Sequence, residues 1–557
     1  MIKVLPGLAW IRGYRRAWLR GDLLAGATVA AYLVPQVMAY AGLAGLPPVT
    51  GLWATLVPLA VYALLGSSRH LSIGPESTTA LMTATAVAPL AAGDPGRYAT
   101  LAAALAVVVG GLALVAYAAR LGFLADLLSR PILVGYMAGV ALIMMAGQLG
   151  KLTGVSVEGA TFFGQVVSFA RGMGGAQAGT LLFAVVVLAF LFVVQWRRPG
   201  LPGPLLAVLL ATAAVALFDL EAHGIGVVGA VPAGLPTPVL PDLHDLSGLV
   251  LPAVGVLVVG YTDTVLTARS FADRDGYRID ANQELLALGT ANVGAGLLRG
   301  FPISSSGSRT ALGAAAGSRT QAYSLVALVT VVGVLLLLGP LLERFPTAAL
   351  GAIIVYAAVR LIDVHGFRRL AAFRRTELAL ALAACAGVLL FDILYGILVA
   401  VGLSVAETLH RVARPHDAVQ GFVPGLAGMH DVDDYPQATT VPGLVVYRYD
   451  SPLFFANADD FRRRALAAVH GQDRKVAWFV LNAEANVEVD STALDAMEQL
   501  RAELAERGIV FALARVKQDL RDDLDRFGLT AAIGAERIFP TLPTAVEAYQ
   551  EWRRHRA

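Results

Sequence analysis

Residues 71–81 read LSIGPESTTAL, and residues 303–312 read ISSSGSRTAL. The two stretches share a five-residue pattern, STTAL at 77–81 and SRTAL at 308–312, 231 residues apart. Each follows a chain break, Gly74-Pro75 in one and Ser306-Gly307 in the other, and each opens a short apolar run, 75–90 and 306–316. An α-helix rises 1.5 Å per residue, so runs of this length do not cross about 30 Å of hydrocarbon. Backbone groups at a helix end cannot face lipid, which predicts half-helices buried inside protein. The run at 284–298 is short enough to be read the same way.

Working outward, the rest of the chain fits a membrane setting. Of 557 residues, 57% are hydrophobic and 15% charged. The first 414 residues hold 27 Lys+Arg and 19 Asp+Glu, against 16 and 22 in the last 143. The first part is too poor in charge to cover a soluble surface, while the second has the composition of an ordinary soluble domain. Fourteen apolar runs lie between about 23 and 409, the last two at 376–391 and 393–409. Counted in sevens, the two short segments are each third in their set. Seven is odd, so the second set is predicted to be inverted, the arrangement of secondary transporters, with a binding site where the halves meet.

Charge placement predicts the orientation. With an even number of crossings and the N-terminus inside, the outer segments carry five basic residues: Arg97, Lys151, Arg171, Arg299 and Arg344. The connection at 219–247 has none, whereas the 362–375 turn has Arg368, Arg369, Arg374 and Arg375. The positive-inside bias therefore places both termini in the cytoplasm of a multi-pass inner (plasma) membrane protein. Lys3, Arg12, Arg15, Arg16 and Arg20 precede Ala39-Tyr40-Ala41, which imitates a signal-peptidase site. The apolar stretch at 23–44 is too long for a signal peptide, so no cleavage is expected.

Several function classes are excluded at this stage. A net charge of +2, without basic runs, argues against nucleic-acid binding, and a lone Cys385 excludes disulfide and CxxC chemistry. No HExxH, GxSxG or Walker-type loop suggests an enzyme. The predicted domains are a transporter at 1–414, a linker at 415–441 and an α/β domain at 442–557, where LVVYRYD, KVAWFVLN and IVFALARV alternate with helical stretches.

The chemistry is expected where the half-helices begin. Two helix N-termini aimed at one point attract an anion. Arg309 adds a full charge, costly in the membrane unless a partner or bound anion compensates it. Asp263 is the candidate partner, and Ser77 and Ser308 are candidate ligand hydroxyls or caps. Asp263 and Thr267 lie four residues apart on one helical face, two hard oxygens for a small cation, and a buried carboxylate can also carry a proton. The residues leave sodium and proton both open and call for no other cofactor. Glu76 is either the N-terminal cap of its half-helix or a second proton carrier. Pro35 is expected to break the first segment, Gln36 and Tyr40 after that break are candidate cavity residues, and Asp392 is expected to mark a helix end.

These residues resemble the SulP sulfate permease family of anion transporters. PQVMAYAGLAGLPPVTGL at 35–52 is similar to its first-helix signature, and IDANQELLALGTANVGAGLLRGFPISSSGSRTALGAAAGSRTQ at 279–321 to its most distinctive stretch. The C-terminal pattern resembles the STAS domain. The resemblance implies fourteen segments in two inverted repeats, core and gate domains, a small-anion site between the third and tenth segments, and a homodimer. By motif position it makes Ser308-Arg309 the anion pair, Gln36 and Tyr40 cavity residues, and Asp263 and Thr267 similar to the sodium-site pair of the family's bicarbonate transporters, although many members carry Glu at the first position. Asp490-Ser491-Thr492 resembles a STAS loop whose Ser is phosphorylated in soluble relatives, with Ala493 in place of the usual Gly, and it is read as structural. The leading expectation is a secondary active transporter of a small oxyanion, sulfate first, with bicarbonate and dicarboxylate as alternatives. The other classes weighed are an uncoupled anion channel or exchanger, and a membrane scaffold binding a cytosolic partner through the STAS domain.

Overall fold

A computed structural model describes residues 6–123, 129–159, 161–198, 201–230, 234–241 and 246–556. Lys3 and parts of the 219–247 connection lie outside the described residues, as does the side chain of Asp392. The chain forms two compact units, 1–404 and 405–557.

The first unit is helical. In chain order it contains α1 (Leu19–Leu43), α2 (Pro48–Leu65), β1 (Ile73–Gly74), α3 (Ser77–Ala91), α4 (Pro95–Ala118), α5 (Arg130–Thr153), α6 (Ala178–Arg197), α7 (Gly203–Leu217), α8 (Leu246–Asp275), α9 (Ala281–Leu297), β2 (Ser304–Ser305), α10 (Gly307–Ala315), α11 (Ala322–Leu337), α12 (Thr347–Leu361) and α13 (Arg375–Ala413). Among the described residues, seven helices are long and apolar enough to cross a membrane. Helix α13 is helical over 39 residues, yet a side chain at Gly396 would come within 2.8 Å of the Val388 Cα. Residues eight apart in a straight helix are separated by about 12 Å, so the chain doubles back between them and carries the thirteenth and fourteenth segments. Asp392 falls in this reversal. With that, the order of long and short segments is the fourteen expected.

The run at 284–298 forms one 17-residue helix, Ala281–Leu297, started by Asp280, whose side chain accepts from the amides of Asn282 (2.9 Å) and Gln283 (3.1 Å). One expectation for this unit needs correction. Pro35 does not break α1, which runs through it.

Packing relies on small residues, as expected where lipid supplies no hydrophobic drive between helices. A Cβ on Gly110 of α4 would lie 2.6 Å from the Gly289 carbonyl of α9, so only glycine permits this approach. Buried carboxylates are fully engaged. Asp22 accepts from the Arg319 amide (2.7 Å), the Thr320 amide (3.2 Å) and the Thr320 hydroxyl (2.8 Å), tying α1 to the start of α11. Glu284 accepts from Tyr62 (2.8 Å) and from the Ser67 amide (2.9 Å) and hydroxyl (2.6 Å). Left unpaired, either charge would cost several kcal/mol.

In the second unit, a six-stranded sheet has the order β4-β3-β5-β6-β7-β8, built from Asp417–Phe422 (β3), Met429–Asp431 (β4), Leu444–Tyr449 (β5), Trp478–Asn482 (β6), Val510–Ala514 (β7) and Ile538–Phe539 (β8). The last four are parallel, with Val446 beside Val480 and Val480 beside Ala512. Period-two alternation gives the sheet two apolar faces. Val445, Tyr447, Phe479, Leu481 and Leu513 pack under the helices Ala458–His470, Ser491–Glu506 and Gln518–Phe527. Leu444, Val446, Trp478 and Val480 pack under Leu542–Arg554. Residues 415–441, expected to be linker, contribute β3 and β4. Gln420 of β3 is buried and accepts from Asn482 at 2.9 Å, a pairing too distant in sequence to leave a local signal. Asp490 caps the helix at Ser491 by accepting from the Ala493 amide (2.8 Å), and its other oxygen accepts from Phe455 (2.7 Å).

Candidate functional site

The two short segments meet as their shared sequence predicts. Strands β1 and β2 pair antiparallel, Ile73 with Ser305 and Gly74 with Ser304, and the Ser306 amide donates to the Ser72 carbonyl at 2.9 Å. Antiparallel strands send the helices that follow in opposite directions, with both N-termini left at the crossing. Local chemistry fixes this geometry. Gly74 takes φ +152°, which side chains rarely adopt, and Pro75 prevents a helix from starting earlier. Glu76 caps α3, accepting from the Thr78 amide and the Ser77 hydroxyl, both at 2.8 Å. Ser306 caps α10, and its hydroxyl lies 3.2 Å from that of Ser308. On the far side, Asn292 pins Ile303 by accepting from its amide (2.9 Å) and donating to its carbonyl (3.2 Å).

A cavity of about 220 Å³ lies at these helix starts. Glu76 to Thr79 and Ser304 to Ser308 form two of its walls. Tyr32, Gln36 and Tyr40 of α1, Val259, Gly260 and Asp263 of α8, Met137 of α5, and Tyr356, Ala357, Arg360 and Leu361 of α12 form the rest. Of the residues expected from sequence, Gln36, Tyr40, Glu76, Ser77, Asp263 and Ser308 stand in the wall. Ser305 donates to Asp263 at 2.8 Å. First-turn amides of α3 and α10 have no partner within their helices, so the cavity meets two positive helix ends.

Three expectations are corrected here. Arg309 is not in the wall: it is wholly buried behind it, donating to Gln36 Oε1 and the Pro75 carbonyl (3.0 Å each) and to Ser72 (3.4 Å). Its second terminal nitrogen has no hydrogen-bond partner and lies beside Gly74. No ion pair joins Arg309 to Asp263 among the described residues; the partner of Asp263 is Ser305. Thr267, one turn beyond Asp263, is absent from the wall, because α8 meets the cavity only through its 259–263 turn.

Sequence reasoning missed Tyr32, Tyr356 and Arg360. The Tyr356 hydroxyl donates to Gln195 at 2.8 Å and accepts from Arg360 at 3.1 Å, and the Arg360 guanidinium lies 5.6 Å from the Tyr356 ring centre. A second cavity of about 220 Å³ shares Tyr32, Ser308, Tyr356 and Arg360 with the first, and extends past Gln195 to Gly203 and Pro204. Arg360 lines both. The site thus combines two helix N-termini, serine hydroxyls and a fixed guanidinium behind Gln36, which favour an anion, with two carboxylates, which favour a cation or proton beside it.

The chain has counterparts among known proteins. Residues 19–384 match the Sulfate permease family, and residues 435–545 match the STAS domain. A Mycobacterium tuberculosis protein named as a probable sulfate transporter is 61% identical over 547 residues, 98% of each chain. The chloroplastic sulfate transporter 4.1 of Arabidopsis thaliana is 31% identical over 98% of this chain and 82% of its own. The solved structure of murine Slc26a9, an anion transporter in the inward-facing state, superposes with a TM-score of 0.91 at 23% identity, over 99% of this chain and 94% of that one. The transmembrane domain of a cyanobacterial bicarbonate transporter, BicA, gives 0.62 at 22% identity over 69% of this chain and 98% of its own. Both likenesses establish the fold. The chain belongs to the sulfate permease family, membrane transporters of anions rather than enzymes, and carries a C-terminal STAS domain.

Proposed function

We propose that the protein is a secondary active transporter of a small inorganic oxyanion, sulfate first, moved by alternating access together with a proton or sodium. The observation that carries this reading is the cavity at the two opposed helix starts, with Arg309 fixed behind Gln36 and both Glu76 and Asp263 in the wall. Helix ends and serine hydroxyls suit an oxyanion. Two carboxylates facing the same space would repel it unless a cation or proton enters with it. The name of the 61%-identical mycobacterial protein supports sulfate among the candidates.

In this reading Gln36, Tyr40, Ser77 and Ser308 hold the anion, Arg309 supplies the positive field through Gln36, and Glu76 and Asp263 carry the coupling charge. The antiparallel crossing of β1 and β2 supports two inverted repeats of seven. The second cavity, which shares Tyr32, Ser308, Tyr356 and Arg360 with the central one and reaches the end of α6 and the start of α7, supports a state open to that side. Positive-inside bias makes that side, and both termini, cytoplasmic in the inner membrane. A homodimer, and a cytosolic partner on the STAS domain, belong to the same proposal.

The test is uptake of labelled sulfate into proteoliposomes under an imposed proton or sodium gradient, with unlabelled bicarbonate and dicarboxylates as competitors. Gradient-dependent uptake, inhibited by the preferred anion, is expected. Absence of gradient-dependent flux of any of these anions would overturn the proposal.

A further inference from the structure

We infer that a second anion site, for the headgroup of an anionic phospholipid, lies beside the start of α1, apart from the transport cavity. A cavity of about 900 Å³ is bounded by the N-terminal stretch (Trp10, Trp18), the beginning of α1 (Arg20, Leu24), the turn after α2 (Ser67, Arg69) and the connection from α10 to α11 (Arg319, Thr320). Three arginines from three separate segments, Arg20, Arg69 and Arg319, converge on it. All are exposed, and none forms an ion pair among the described residues. Arg69 only stacks over the Tyr277 ring, at 5.1 Å.

Nearby carboxylates are already engaged. Asp22 is held by the Arg319 and Thr320 amides and the Thr320 hydroxyl, with Tyr14 donating to it at 3.1 Å. Glu284 is held by Ser67 and Tyr62. Asp275, in the adjoining cavity, is bridged by His70 (2.8 Å) and Arg274 (2.9 Å). Three positive charges therefore face a concave space whose neighbouring carboxylates, Asp22, Glu284 and Asp275, already have partners, and guanidinium groups suit phosphate through paired N–H donors.

The aromatic residues of the N-terminal stretch, two of which (Trp10 and Trp18) line the cavity, point to the source of the phosphate. Trp10, Tyr14 and Trp18 pack edge to face, with ring centres 6.2 and 6.0 Å apart, and Arg15 lies over Trp18 at 5.5 Å. Aromatic and basic residues grouped at the start of a membrane helix mark the headgroup level of a bilayer. Exposed Leu24 continues the wall along α1 with an apolar side chain suited to an acyl chain. A headgroup bound here would join the N-terminal stretch to α1, the α2 turn and the start of α11, steadying the elements that carry the half-helices. This site is independent of which anion is transported.

The full-length protein in nanodiscs tests it by thermal unfolding in three settings: phosphatidylcholine alone, phosphatidylcholine with phosphatidylglycerol, and phosphatidylcholine with soluble glycerol phosphate. Phosphatidylglycerol should raise Tm by about 5 °C and glycerol phosphate should not. Arg20→Gln/Arg69→Gln/Arg319→Gln should lose at least half of the rise, whereas Arg368→Gln/Arg369→Gln/Arg374→Gln keeps it. No rise in the unsubstituted protein, an equal rise in the first triple variant, or an equal rise with glycerol phosphate each overturns the inference, the last by making this a soluble-anion site. Should the first triple variant fail to fold, Arg69→Gln alone must reduce the rise by about a third, and no reduction overturns the inference.

Discussion

The third and tenth segments begin alike and are charged oppositely. Both run strand, break, helix, and both place a serine, Ser77 or Ser308, at the cavity. In α3 the N-cap is Glu76, whose carboxylate stands in the wall and is also tied to its own helix. In α10 the N-cap is neutral Ser306, and the charge belongs to Arg309, turned away from the cavity and donating to Gln36 and Pro75. One half places a negative charge in the cavity wall; the other places a positive charge inside the protein, behind that wall. The difference teaches that a shared backbone motif can set opposite charges in different surroundings, one open to the cavity and one built in.

The largest effect should come from the interior charge. Arg309→Gln removes charge-assisted bonds of roughly 1.5–3 kcal/mol each, and sulfate uptake should fall at least about 100-fold at matched protein level. Arg309→Lys, which keeps the charge without the fork, should recover part of it. Full activity of Arg309→Gln would erase the contrast between the halves.

Glu76→Gln separates the two jobs of Glu76, because an amide oxygen can still accept from Thr78 while the charge is gone. Like charges several Å apart at an effective dielectric of 20 repel by ~2 kcal/mol. Anion affinity should therefore rise about thirtyfold, with little change in thermal stability. Loss of stability with unaltered affinity would make Glu76 a cap alone.

Asp263→Asn should lower gradient-driven accumulation about tenfold while anion exchange across equal gradients changes about twofold, since Asn can still accept from Ser305. Equal loss of both would make Asp263 a packing residue. The smallest effect is expected at Thr267: Thr267→Ala should leave uptake and its sodium dependence within about twofold, because Thr267 lies outside the wall. A selective loss of sodium dependence would show that it ligates the cation.

Much of this was legible in sequence because it is local. Repeated STTAL and SRTAL, the breaks before them and the acids at helix starts all act within a few residues, and the alternation of β5, β6 and β7 spans one strand at a time. What escaped depends on distant packing. Arg360 ends a helix where a basic residue also serves orientation, so nothing marked it as a cavity residue. Thr267 has the right spacing from Asp263, yet helical phase does not tell how far along α8 the cavity reaches. Arg309 in the membrane calls for a partner or a bound anion; the oxygens that meet it come from Gln36, Pro75 and Ser72 on two other segments. Strands β3 and β4 went unseen because their partners lie across the sheet and their alternation is short.

Selenate, a heavier analogue of sulfate, locates the anion most directly when the full-length protein is crystallised with it and diffraction is recorded at the selenium edge. The account predicts one anomalous peak in the central cavity, within hydrogen-bonding reach of Ser77 and Ser308 and next to Gln36. A peak only elsewhere, or none at concentrations that saturate transport, would contradict it.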